Sequence, residues 1–232
     1  ASSAASDVYK RQVEEKQPVT DKYVSVVAEV SDPVTVRVPL GCTLEEVVAQ
    51  AGSTTVKNPV YFVGGPMMGR IGNGSDPVTK TTNAILVLPK DHLIVAKKQR
   101  TSSIDLKRAA SICCQCNTCT DLCPRHNLGH PIDPAKFMRA ASNNDFRDLN
   151  PYIDASFCSS CGVCEMYACP QSLAPRTLLA DMKGGLRKAG IRPPQGVQPV
   201  PVQPSREYRK VPEERLMARL GLTKYDLSLI HI

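Results

Sequence analysis

Tryptophan is absent from the 232 residues, and aromatic side chains make up only 5% of them. A core must therefore be assembled from Val, Leu, Ile and Ala, and small cores of that kind gain from a staple. No run of about 18 uncharged apolar residues exists, so no direct membrane span is expected. No basic n-region with an apolar stretch behind it opens the chain, so no secretory signal is read. The net charge is +7, yet Lys and Arg form no dense run and no stripe interleaved with aromatics. That pattern reads as a mildly basic solvated surface, and no nucleic-acid partner is expected.

What the chain has in quantity is cysteine. Nine of its ten cysteines fall in two short runs, Cys113 to Cys123 and Cys158 to Cys169, each closed by Pro. With Cys114 set aside, the first is C-x2-C-x2-C-x3-C-P and the second C-x2-C-x2-C-x4-C-P. In a reducing cytosol such cysteines read as metal ligands rather than disulfides. A zinc site uses two separated pairs, or Cys with His, around one metal. Three evenly spaced cysteines followed by C-P, twice over, is instead the bacterial-ferredoxin spacing for [4Fe–4S] clusters. Two-residue gaps let successive thiolates face different irons of one cube.

In two-cluster ferredoxins the fourth cysteine of each run ligates the other cluster. The expected sets are therefore crossed. Cys113, Cys116, Cys119 and Cys169 hold the first [4Fe–4S] cluster, and Cys158, Cys161, Cys164 and Cys123 the second. The function this predicts is one-electron transfer, with no catalytic side chain. Cys169, behind an extra residue, is the weakest assignment. Cys114 reads as a spare thiol and Cys42 as a small buried hydrophobe. His126 reads as a neighbour of the site or a surface residue rather than a ligand.

Around these runs the pattern predicts α+β architecture. Val24–Val30 and Val34–Val38 alternate and read as a hairpin across Ser31-Asp32-Pro33. Thr43 and Glu46 form a capping box opening a helix that Gly52 closes, with Leu44, Val47, Val48 and Ala51 buried. Val60–Val63 and Ala84–Leu88 read as buried strands. Gly64 to Arg70 between them is either a loop facing a cofactor or neighbouring domain, or a local turn with Met67 and Met68 tucked in. Helices are expected at 103–111, at 134–141 and at 174–183, the last ended by Gly184-Gly185. Five prolines between Pro193 and Pro204 read as a linker. An amphipathic helix follows, with Pro212 at its start, Leu216, Met217, Leu220 and Leu222 apolar and Gly221 at its end, packed on its own chain or docked on a partner.

The expected division is a foreign or disordered segment and linker over 1–23, a small α+β domain over 24–96 and a mainly helical dicluster domain over 97–190. A Pro-rich linker spans 191–204, the helix 205–226 and a foreign tail 227–232. Asp7–Gln12 and Leu227–Ile232 fit no neighbouring pattern and resemble translated sequencing adapters, so the parent is expected to be longer.

Gly64–Gly69, Thr81-Thr82-Asn83, the two cysteine runs and Arg206–Pro212 together resemble the RnfC/PduS family of electron-transfer proteins. The resemblance implies a β-grasp domain of the soluble-ligand-binding type followed by a ferredoxin-like domain with two [4Fe–4S] clusters. It further implies FMN and NADH on an upstream domain of the same parent, missing here, with that flavin/NADH domain as a partner. The motif wording is closer to the cobalamin-reducing branch, which implies cobalamin, or a cobalamin-dependent enzyme system, as electron acceptor. The implied location is the cytoplasm, with a bacterial microcompartment as one site within it. An RnfC-like role would place the protein on the cytoplasmic side of the inner membrane, in an ion-translocating NADH:ferredoxin oxidoreductase. A further alternative is a non-enzymatic ligand- or partner-binding module with structural metal.

Overall fold

The computed structural model describes residues 10–192 and 201–229. Residues 1–9, most of the expected Pro-rich linker (193–200) and the last three residues of the tail lie outside the described residues. Two compact units result, one comprising the chain up to Gln99 together with the segment from Gly221 onward, the other Arg100–Leu220.

The first unit is built on a five-stranded mixed sheet. In chain order its elements are β1 (Asp21–Ala28), β2 (Val34–Pro39), α1 (Leu44–Ala49), β3 (Pro59–Val63), β4 (Arg70–Gly72), β5 (Ala84–Pro89) and α2 (Leu93–Gln99). The strand order is β2-β1-β5-β3-β4. β1 and β5 run parallel, and every other neighbouring pair is antiparallel.

β5 is the central strand, which explains its unbroken apolar run: Ala84 through Leu88 are all buried. Its side chains alternate between faces. Ile85 and Val87 join Val24, Val26 and Val63 in a core completed by Leu44, Val47 and Val48 of α1. Leu86 faces the other way, in register with Val27 of β1 and Phe62 of β3, both buried.

The capping box forms as the pattern requires. Glu46 N–H donates to Thr43 Oγ1 at 3.3 Å, and Thr43 N–H donates to Glu46 Oε2 at 2.8 Å. Such a cap contributes about 1 kcal/mol to a helix of only six residues. β4 and α2 carry no sequence signal strong enough to announce them. Three residues cannot show alternation, and β4 forms because Ile71 registers against Phe62. The loop before it splits between its two readings. Gly69 is packed tightly, since an added Cβ would lie 2.4 Å from Phe62 Cε1, yet Met68 is 57% exposed.

In the second unit the elements are α3 (Ser102–Ile112), α4 (Thr118–Asp121), α5 (Pro124–Asn127), α6 (Pro134–Ser142), α7 (Asn150–Ile153), α8 (Pro175–Lys188) and α9 (Glu213–Leu220). A π-helical turn covers Val163–Ala168, and 3₁₀ turns cover Asp154–Phe157 and Pro204–Tyr208. Proline stands in the first turn of α5, α6, α7 and α8, where its missing N–H costs no helical bond. Ile132, Phe137, Met138, Tyr152, Leu173 and Leu179 form the core, and Cys123 and Cys158 lie in it.

One helix boundary differs from expectation. α8 runs through Gly184 and Gly185 to Lys188 and stops at Gly190, whose φ is +74°. A helical glycine costs roughly 1 kcal/mol without breaking the helix, whereas a left-handed residue ends it. Within the expected 205–226 segment the helix covers Glu213–Leu220, behind Pro212 and before Gly221 as those two residues signal, and Pro204–Tyr208 forms a separate 3₁₀ turn.

Candidate metal centre

The two cysteine runs share one backbone conformation. In the first, Gln115 and Asn117 flank Cys116 with φ of 53° and 58°. In the second, Ser160 and Gly162 flank Cys161 with φ of 57° and 84°. Each run thus places left-handed residues two and four positions after its first cysteine. Left-handed residues in short alternation turn successive N–H groups toward one concavity, the arrangement that receives anions, Fe–S centres among them. Asn and Gly tolerate this conformation, while Gln115 and Ser160 are held there at a cost.

The runs diverge after the third cysteine. The first continues into α4, where Leu122 N–H donates to Thr118 O, four residues back. The second continues into the π-helical turn, where Cys169 N–H donates to Cys164 O, five residues back, at 3.2 Å. A wider turn takes up the one extra residue, so the x4 gap is accommodated inside a helical turn rather than in a loop.

Two pockets collect the thiols. Cys113, Cys116, Cys119 and Cys169 line one, with exposed Cys114 beside them. Cys123, Cys158, Cys161 and Cys164 line the other, with Arg176 of α8. The fourth cysteine of each run thus lines the pocket of the other run. The pockets differ in depth: Cys123, Cys158 and Cys164 are buried, whereas Cys116 is exposed. Among the described residues no three His, Cys, Asp or Glu side chains converge as a single metal ion would require.

Electrostatics follow the same grouping. Burial, then repulsion from Cys169, Cys116 and Cys113, pushes the Cys119 thiol up to about 12. Cys164 is raised by burial, Glu165 and other cysteines, and Cys123 chiefly by burial. Hydrogen bonds from the side chain and backbone of Thr118 hold Cys116 below its ordinary value, the hydroxyl standing 3.2 Å from Sγ. Several thiols packed together ionise readily only when a cationic centre balances them, so metal loading releases protons here.

Backbone donors also reach sulfur. Ser160 N–H donates to Cys158 Sγ at 3.3 Å, and Leu173 N–H to Cys169 Sγ at 3.4 Å. The ring of His126 is engaged elsewhere, with Nδ1 2.9 Å from Ile132 O, but its backbone N–H lowers the Cys123 thiol. Cys42 lies half-buried against the core of the first unit.

Residues far from the runs support the pockets. Arg100 donates through Nε to the buried carboxylate of Asp105 at 2.8 Å and through Nη2 to Ser172 O at 3.2 Å. Ser172 immediately precedes Leu173, the donor to Cys169. Arg219 of α9 donates to Cys169 O at 3.0 Å and lies 5.8 Å from the centre of the Tyr167 ring. Leu216 and Leu220 are buried on the same helix, so α9 packs on its own unit. Nothing in the local sequence marks Arg100 or Arg219 for these positions.

The donor sets fit two iron–sulfur clusters. With Cys114 set aside as surplus, each pocket is lined by four thiols, the backbone turns offer N–H groups, and Arg176 Nε is buried with no hydrogen-bond partner on a residue lining the second pocket. Fold and site define the chain as an iron–sulfur electron-transfer protein, and residues 112–174 match the 4Fe-4S dicluster domain family.

Similarity to known proteins narrows this further. The chain is 40% identical over 219 residues, 93% of its length, to the cobalamin reductase PduS of Salmonella typhimurium, covering 48% of that protein. It is 38% identical over the same shares to the cobalamin reductase PduS of Citrobacter freundii. Over 117 residues, 50% of the chain, it is 30% identical to a component of the ion-translocating oxidoreductase complex of Klebsiella pneumoniae, covering 14% of that component. The chain is thus a relative of the RnfC/PduS electron-transfer proteins, and it spans about half the length of its PduS relatives. No helix among the described residues is long and apolar enough to cross a membrane.

Proposed function

We propose that this chain is the electron-carrying part of a flavin-dependent NADH oxidoreductase that delivers electrons to cobalamin. The observation that carries the reading is the sorting of nine cysteines into two pockets, each pocket taking the fourth cysteine of the other run. Cys113, Cys116, Cys119 and Cys169 would hold one [4Fe–4S] cluster, and Cys158, Cys161, Cys164 and Cys123 the other. A cluster of this type accepts and releases one electron at a time. The chain's own residues bind it through thiolates, direct N–H groups at sulfur and exclude water on the buried side of the second pocket. Ser160, Leu173 and Thr118 supply the donors, and hydrogen bonds to sulfur favour the more negative state.

The strand order supports reading residues 24–96 as a β-grasp domain of the soluble-ligand-binding type, and residues 97–190 as a ferredoxin-like dicluster domain. Hydride transfer from NADH to FMN is assigned to an upstream domain of a longer parent, in keeping with the half-length match to PduS. Cobalamin as acceptor and a microcompartment as location rest on that similarity. The weaker match to the ion-translocating complex supports a second reading, in which the electron acceptor belongs to a membrane assembly. Anaerobic reconstitution tests the core of the proposal. About eight iron and eight sulfide per chain, with visible absorbance that dithionite bleaches, are expected. Zinc bound without sulfide would overturn it.

A further inference from the structure

The two pockets are not equivalent in charge. Among the residues lining the first pocket there is no Lys or Arg. The second is lined by Arg176, in the first turn of α8, together with Leu179 one helical turn further on. Pro175, the residue before, lines the first pocket instead, so the start of α8 serves both and gives its cation to one. Arg176 Nε is buried and finds no partner. A buried N–H donor without an acceptor costs about 1–3 kcal/mol, and such groups are rare in folded proteins. The other cations at these turns are engaged: Arg219 by Cys169 O and the Tyr167 ring, Lys183 by Cys158 O at 2.8 Å and Arg139 by Asn117 Oδ1 at 2.9 Å.

We propose that Arg176 is a positioning residue that sets the reduction potential in the second pocket and so separates the two clusters energetically. This rests on the reading that the second pocket holds a cluster. Burial on that side disfavours added negative charge, since three of its four cysteines are buried. Glu165, beside Cys164, acts in the same direction, and its carboxylate accepts hydrogen bonds from Thr177 N–H and Oγ1, both at 2.9 Å. A guanidinium against the pocket opposes both effects. It is permanently charged, and its Nε–H is a buried donor without a partner on a residue lining the pocket of four cysteines. The second pocket then accepts an electron at a less negative potential than its burial alone would allow.

The test is an anaerobic redox titration of the reconstituted chain followed by electron paramagnetic resonance, with iron and sulfide assayed on each sample. In Arg176→Gln, iron content is expected to hold while one of two midpoint potentials moves to more negative values and the other stays. In a Cys169→Ser background, where the second cluster alone is expected to remain, the same shift should appear. Unchanged potentials, or equal movement of both, would overturn the role of Arg176. Should Arg176→Gln lose iron, Arg176→Met carries the test. It keeps an apolar stem without the charge or the Nε donor, so the same potential is expected to fall while the other holds, and no fall overturns the proposal. Failure of the crossed ligation is seen separately, as both clusters surviving Cys169→Ser.

Discussion

The backbone N–H of Cys169 donates to the carbonyl of Cys164, five residues earlier, at 3.2 Å. The matching stretch of the first run has its bonds to residues three and four back, Cys123 to Thr120 and Leu122 to Thr118. One extra residue is thereby spent on widening a turn, and the cysteine at its end still lines a pocket with four cysteines of the other run. π-Helical turns are rare and frequent at functional sites, in keeping with that use.

Replacing Cys169 with Ser is expected to halve the iron of the reconstituted chain, leaving about four per chain. Cys114→Ser should leave it at about eight, because Cys114 is the fifth thiol of its pocket and an exposed one. Iron and sulfide assays on both variants check this. Full loading of Cys169→Ser would remove the crossed ligand sets.

The left-handed positions predict opposite effects for two neighbouring substitutions. Gly162→Ala forces a side chain onto a residue with φ of 84° and should cost about 1–2 kcal/mol, with poorer loading of the second pocket. Ser160→Gly relieves the same strain at φ of 57° and should be neutral or stabilising by up to about 1 kcal/mol. Urea midpoints of the two variants measured side by side would show the sign.

Asp105 is 1% exposed and ion-paired with Arg100, which also holds the Ser172 carbonyl. Asp105→Ala strands a largely buried guanidinium and is expected to cost about 3 kcal/mol. The double variant Arg100→Met, Asp105→Leu should recover most of that loss, since it removes both charges. Denaturant unfolding of the two variants decides whether the pair acts as a unit.

Acid should weaken the first unit through Glu29. Hydrogen bonds from Lys224, Thr55 and Tyr225 hold its carboxyl at about 2, against 4.5 ordinarily. Lys224 Nζ and Tyr225 Oη both stand 2.6 Å from Oε1. The folded value lies below the unfolded one, so the stabilisation is complete above about pH 4.5 and disappears as pH falls toward 2. Glu29→Gln should flatten the dependence of the urea midpoint on pH within that window and lower stability at neutral pH. An unchanged acid slope would show that the Lys224 and Tyr225 contacts contribute nothing.

Much of the first unit is legible because its signals are local. Alternation in Val34–Val38 and the unbroken run Ala84–Leu88 are properties of a few adjacent residues, and the Thr43–Glu46 box spans one helical turn. β4 is not legible, since three residues hold no period and its pairing depends on β3. Gly184 and Gly185 mislead because propensity is a weak prior, and the packing of Leu178 and Leu179 carries α8 past them. α9 is legible at both ends, because Pro212 and Gly221 are local signals that bracket Glu213–Leu220.

For the site, spacing by itself determined the candidate ligands and marked Cys114 as surplus. Ligand identity is a matter of residue type and of how far a short loop reaches, and both are written in the chain. The crossed grouping follows from the ferredoxin pattern, whereas tertiary structure alone decided what joins residues 113 and 169, namely the packing of α3, α6 and α8. It also decided that the extra residue before Cys169 widens a turn, that Arg100 and Arg219 brace that cysteine, and that Arg176 stands at one pocket only. Each of these depends on where a distant helix buries its apolar face, a quantity set by the whole core.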